Sequence, residues 1–293
     1  MTKKKIAIFF IIIFIALFAI GGLFALKFFS TEKVSNATRS GIYFGNQVWS
    51  GEITITGDTN LIGNLTILPG TIVRFDVGDD THSGDEVPAD GYNDRDPTRL
   101  KSYTTTHSSL FVDKKLIAKG TQDKKITFTS GSQSPHLADW ESLMFGGDGS
   151  ILDNVIVEYN RNGINPIGDQ PHSIIQNSIV RHVLWGTISS AQSTIQIINN
   201  NLSDCGHEGV DAVHKGSQII KDNVIEDCHA GIVVIGGTSI VEGNTIKNCG
   251  GDISVDPAAS PKLSNNKIIP ASSDSKREWR YGNFAYQLFG GPK

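Results

Sequence analysis

The sequence predicts an all-β fold in which short parallel strands stack as a solenoid. Three observations carry that prediction. Between residues 150 and 270 there are 21 Ile against 4 Leu, and β-branched side chains suit pleated strands better than helices. In the same stretch an N-x-[IL] triplet recurs at Asn154, Asn177, Asn200, Asn223, Asn244 and Asn266, at intervals of 23, 23, 23, 21 and 22 residues. Other positions keep step with it: an aliphatic residue three before each Asn (Ile151, Ile174, Ile197, Ile220, Val241, Leu263), and Tyr159, His182, Cys205, Cys228 or Cys249 five after it. A repeat of about 20–25 residues is one solenoid coil, which buries its apolar positions only by stacking on its neighbours. Asn at a fixed corner then bonds the Asn above and below as a ladder.

Taken in order, the chain opens with a basic tail, residues 1–5, carrying Lys3, Lys4 and Lys5. Residues 6–26 hold no charge, which is long enough for a membrane-spanning helix. We therefore expect a transmembrane signal anchor over 6–29, single-pass, with a cytoplasmic N-terminus and the remainder outside the cell membrane. A cleaved signal peptide is the competing expectation, although no A-x-A-like site follows the apolar run. Residues 30–47 read as linker. Coils start near Val48, where Ile53, Ile55, Leu65 and Ile67 alternate, and continue to 270; at this period that span makes roughly nine coils. An acidic insert, 76–104, interrupts them. Residues 271–293 leave the repeat and carry Trp279, Tyr281, Phe284, Tyr286 and Phe289, the composition of a C-terminal cap over an open solenoid end.

Net charge is −4, but residues 1–33 sum to +4 and the rest to −8. An acidic exterior excludes nucleic-acid binding through bulk positive charge. Three cysteines cannot all pair, so they read as a column of small buried hydrophobes rather than a disulfide framework. His182 reads as sharing that inward column.

Residues 150–270 resemble the right-handed parallel β-helix repeat proteins, the architecture shared with pectate lyases and many microbial surface proteins. Two upstream stretches are similar to the same group: VWSGEITITGDTNLIGNLTILPGTIVRFD (48–76), and SLFVDKKLIAKGTQDKKITFTSGSQSPHLADWESLMF (109–145). In the second, Glu141 and Ser142 replace the usual Gly after Trp. The resemblance implies a single-stranded right-handed parallel β-helix. It implies no single activity, because the fold carries lyases, hydrolases, epimerases, binders and inert stalks.

Two clusters carry candidate chemistry. The insert supplies Asp79, Asp80, Asp85, Asp90, Asn93, Asp94 and Asp96. Hard oxygen ligands at that density suit Ca²⁺, with a solvated acidic loop as the alternative. One coil supplies Asp204, His207, Glu208, Asp211, His214 and Lys215, with Arg181 and His229 in neighbouring coils. Glu158, Arg181 and Asp204 fall four after successive ladder residues and so would form an alternating charge column. Asp/Glu with Arg, Lys or His on a lateral face is the equipment of polysaccharide cleavage; a salt-bridged outer face needs the same residue types. The sequence expectation is a membrane-anchored, externally exposed module that interacts with carbohydrate (a polysaccharide or surface glycan) or acts in adhesion. A polysaccharide lyase or glycosidase using this cluster, and a purely structural stalk, remain open beside it.

Overall fold

The structure, a computed structural model, describes residues 31–77, 107–190, 193–213 and 217–271. Its strands are β1 (Thr31–Phe44), β2 (Asn46–Ile62), β3 (Leu65–Ile67), β4 (Ile72–Phe75), β5 (Leu110–Val112), β6 (Leu116–Lys119), β7 (Ile126–Ser130) and β8 (Leu143–Phe145). There follow β9 (Ile151–Asp153), β10 (Val155–Glu158), β11 (Ile164–Pro166), β12 (Ile174–Gln176), β13 (Ile179–Val183), β14 (Ile188–Ser189), β15 (Gln196–Ile198) and β16 (Asn201–Val213). The last are β17 (Ile219–Lys221), β18 (Val224–Ile235), β19 (Ile240–Glu242), β20 (Thr245–Lys247), β21 (Gly251–Val255), β22 (Lys262–Ser264) and β23 (Lys267–Ile269). Each strand pairs in parallel with its counterpart one coil away, as in the row β9–β12–β15–β17–β19–β22. The described chain is all-β, its parallel strands closing into a solenoid. None of its helices is long and apolar enough to cross a membrane; the expected anchor over 6–29 lies outside the described residues.

Residues 31–44, expected as linker, are strand. β1 runs parallel to β2 from Thr31↔Asn46 to Phe44↔Ile62 and buries Val34 on Trp49. The alternation that marks the next coil therefore begins earlier than Val48. The insert is placed by pairing on either side of it: Glu52 sits on Ile72, whereas Thr59 sits on Leu110. That second interval is far longer than one coil, so the insert falls between β4 and β5 in the chain.

Inside, one aliphatic column is Leu152–Ile175–Ile197–Ile220–Val241, each fully buried. This differs by one position from the sequence register, which put Ile151 and Ile174 there. The slip has one origin. Asn200, Asn223, Asn244 and Asn266 do form the ladder: each of the first three donates from Nδ2 to the next Oδ1 at 2.9–3.0 Å, and all four donate to a backbone carbonyl of the preceding coil. One coil earlier, however, Ser178 fills the ladder slot, its backbone N–H donating to Asn200 Oδ1. Asn154 and Asn177 belong to the preceding column, with Asn199, Asp222, Gly243 and Asn265, and every member has positive φ. Asn serves there because its short polar side chain tolerates the left-handed region. Gly243 keeps that φ where any Cβ would lie 2.2 Å from Asp222 Oδ1.

The same slip moves His182. Its column is Tyr159–His182–Asp204–Asp227–Asn248, a second left-handed corner facing outward. The cysteines stack instead beneath Val183, which pairs with Cys205, and Cys205 pairs with Cys228. Two of them are not free hydrophobes: Cys205 and Cys228, with Cα atoms 4.6 Å apart, form a disulfide, while Cys249 is a buried thiol. The reason is geometric, since parallel in-register strands bring equal positions within disulfide reach.

Candidate functional site

The sequence cluster divides in two. Arg181 does not meet Asp204. Its Nε and Nη2 both lie 2.8 Å from Glu158 Oε2, and Thr129 Oγ1 donates to Glu158 Oε1 at 2.9 Å. Because Arg181 pairs with Ser203, the outer row reads Glu158–Arg181–Ser203–Glu226–Lys247, closed by a Lys247–Glu226 bridge of 2.7 Å. Asp204 sits one position along and holds His182 Nδ1 at 2.6 Å, with His182 stacked on Tyr159. Both are wall contacts between coils. His214 and Lys215 lie outside the described residues, as do the proposed calcium ligands Asp79, Asp80, Asp85, Asp90, Asn93, Asp94 and Asp96. Among the described residues no group of three or more His, Cys, Asp or Glu is arranged to hold a metal ion.

His207, Glu208 and Asp211 do converge, at the outer corner of β16. Against β18 the register is Cys205↔Cys228 but Glu208↔Ala230, so β16 carries one residue more over this corner. A bulge of this kind re-aims the side chains beside it. His207 Nδ1 lies close against Glu208 Oε2, and only 8% of the Glu208 side chain is exposed. Trp185 of the preceding coil stacks on His207, with ring centroids 4.1 Å apart and 8° between planes; His229 of the following coil lies 5.8 Å from His207, tilted by 41°. Around Glu208 the neighbouring coils offer small residues. Ala230 pairs with it on one side, and Gly186 faces it on the other, where an added Cβ would come within 3.3 Å of Glu208 O.

Asp211 completes the corner. Its backbone carbonyl accepts from Ser190 N–H at 2.9 Å, which fixes the strand while leaving the carboxyl to the side-chain cluster. Burial raises its pKa to about 7, the Glu208 charge adds to the rise, and His207 partly offsets it. The corner thus holds two carboxyl groups of different character. Glu208 lies against His207, while Asp211 is divided between acid and base near neutral pH, the condition for a general acid.

Sequence reasoning missed Trp185 and Gly186. Gly186 was visible as one of the Gly residues preceding the third strand of each coil (Gly163, Gly186, Gly209, Gly231). A single Trp beside such a corner Gly was the available signal.

A family model described as "Right handed beta helix region" matches residues 185–276. Comparison with curated proteins and with solved structures found no match. The matched segment takes in Trp185, His207, Glu208, Asp211 and the whole ladder from Asn200 to Asn266. Together with the parallel-strand solenoid of the described residues, this match supports a β-helix repeat protein.

Proposed function

We propose that this β-helix is a carbohydrate-interacting module whose working surface is the corner of Trp185, His207, Glu208 and Asp211. One observation supports the reading above the others: a Trp–imidazole stack abuts two carboxyl groups, one of them Asp211 with its raised pKa. Sugars present C–H faces and hydroxyl edges, and aromatic side chains beside fixed polar groups are the usual complement to both. A soluble polysaccharide panel offered to the full-length chain tests it. Binding should weaken at least tenfold in Trp185→Ala; unchanged binding in that variant refutes this surface.

Cleavage is the second reading, favoured specifically by Asp211. A neutral carboxyl can protonate a glycosidic oxygen while a charged one accepts a proton from water. Release of new reducing ends that disappears in Asp211→Asn, with binding retained, separates an enzyme from a binder.

The module's setting forms part of the proposal. The uncharged run at 6–26 behind three lysines supports a membrane anchor with the solenoid outside. The Cys205–Cys228 disulfide supports an oxidising compartment. Eight acids within 76–96 support a calcium-binding insert.

A further inference from the structure

A shallow concavity lies on another part of the wall, separated from the corner by the Glu158–Arg181–Ser203–Glu226 row. It is a groove of about 490 Å³. One side is the left-handed column Asn154, Asn177 and Asn199. The floor is the outward row Ile179–Asn201–Val224, and one end is closed by Gln122 and Lys125 from the turn before β7.

Its amides are held in place before any ligand arrives. Asn199 Nδ2 donates to Asn177 Oδ1 at 2.7 Å, and Asn177 Nδ2 donates to Asp153 Oδ1 at 2.8 Å. Each of these bonds uses one of an amide's two N–H groups, so a second N–H remains on Asn177 and on Asn199 to meet a hydroxyl. The floor alternates aliphatic and amide side chains. Val224 is 36% exposed and Asn201 is also exposed. The left-handed backbone explains Asn at 154, 177 and 199. It does not explain Asn201, which lies on an extended strand between Ile179 and Val224. Charge is balanced as well: the Lys125 ammonium lies 3.4 Å from Asn154 Oδ1, while the Asp153 carboxylate takes the amides of Asn154, Gln176 and Asn177.

We propose that this groove is a glycan-binding site in its own right, taking a segment of a neutral, hydroxyl-rich oligosaccharide. Aliphatic floor residues meet the C–H face of a sugar ring, and the rigid amides meet its hydroxyls. The site shares no residue with the corner and does not depend on it.

The test is calorimetric titration of the full-length chain with cellohexaose, mannohexaose, xylohexaose and hexagalacturonate. Two variants block the groove differently. Asn177→Gly with Asn199→Gly removes the amides while keeping left-handed backbone, and Val224→Trp fills the floor from an exposed strand position. At least one neutral hexasaccharide should bind, with Kd rising tenfold or more in both variants. Unchanged affinity and stoichiometry in both overturns the groove, as does binding confined to hexagalacturonate. If Trp185→Ala abolishes neutral binding and the groove variants do not alter it, the corner stands and the groove falls. Loss confined to the groove variants establishes the groove and removes the corner. Absence of binding by all four probes overturns both.

Discussion

Replacing Asn223 by Ala tests the register directly, because the sequence treats Asn177 and Asn223 as equivalent and the structure does not. Asn223 is fully buried. Its Oδ1 accepts from Asn200 N–H at 2.9 Å and from Asn200 Nδ2 at 3.0 Å, and its Nδ2 donates to Ile197 O and to Asn244 Oδ1 at 2.9 Å each. Ala leaves two buried donors on Asn200 without an acceptor and removes a donor from the Ile197 carbonyl. At about 1–3 kcal/mol for each donor stranded in the core, the loss should be about 3–5 kcal/mol. Asn177 bonds at the surface and is needed for its positive φ of 51°. Asn177→Ala should cost about 1–2 kcal/mol through the left-handed penalty, and Asn177→Gly less than about 1 kcal/mol. Urea unfolding followed by circular dichroism, compared at constant slope, gives the ranking. Amide exchange at Asn200 localises the damage. Equal costs for Asn177→Ala and Asn223→Ala, or a loss below about 1 kcal/mol at Asn223, would refute the ladder as drawn.

Asp211→Asn should stabilise the protein above neutral pH and not in acid. The folded-state pKa of Asp211, about 7, lies above its unfolded value of 3.8, so wild-type stability falls as pH rises from about 4 to 7 and then levels. Asn does not ionise, and the variant's gain at pH 8 should be about 2–4 kcal/mol, read from melts at pH 4.5 and 8; a gain of equal size at both pH values contradicts the shift. Peptide mapping without reductant should return a Cys205–Cys228 crosslink and a free Cys249. The Cys249 thiol, with its pKa pushed to about 11 by burial, should label slowly at pH 8 until denaturant is added; fast native labelling opposes that placement. Reduction of the disulfide should lower stability by roughly 2–4 kcal/mol. For the insert, EGTA followed by excess Ca²⁺ should shift the melting midpoint of the full-length chain; an unmoved midpoint removes calcium from the proposal.

The fold was legible because its determinants are periodic. Ile-rich strands, a recurring Asn and a recurring corner Gly announce stacked coils without any knowledge of contacts. What escaped was a slip of one residue between Asn177 and Asn199: the coil there is 22 residues long, and of the adjacent Asn199 and Asn200 only Asn200 fits the triplet, although Asn199 is the one that shares a column with Asn177. Asn at a left-handed corner and Asn in a buried ladder look identical in sequence, since one position requires a backbone conformation and the other a hydrogen-bonding valence. That slip misplaced His182 in the core and gave Asp204 to Arg181. The candidate site was half legible. His207, Glu208 and Asp211 lie close in sequence and stay close in space, whereas Trp185 and Gly186 enter from the coil below, a neighbourhood that depends on register.

The difference in corner length between coils explains why chemistry concentrates there. From Val183 to Ile188 and from Cys205 to Val210 the chain takes equal numbers of steps, and both pairs are in register. Two corners of one length hold Trp185 and His207 at equivalent places, and their rings stack almost parallel. From Cys228 to Ile232 the chain takes one step fewer. The shorter corner cannot carry His229 to the same position, so its ring tilts against His207 instead of continuing the stack. Ala230 then stands beside Glu208 where a longer corner could have placed a larger residue. A longer corner would have covered Glu208 with the next coil's side chains. The missing residue leaves Glu208 at a step in the wall with Gly186 and Ala230 on its two sides, whereas Asp211 lies in register between Ser189 and Val233 and has its pKa raised by burial. Lengthening the 228–232 corner by one residue should therefore cover Glu208 and abolish binding at the corner while leaving the ladder intact, an outcome that a polysaccharide-binding titration and amide exchange at Asn223 would separate.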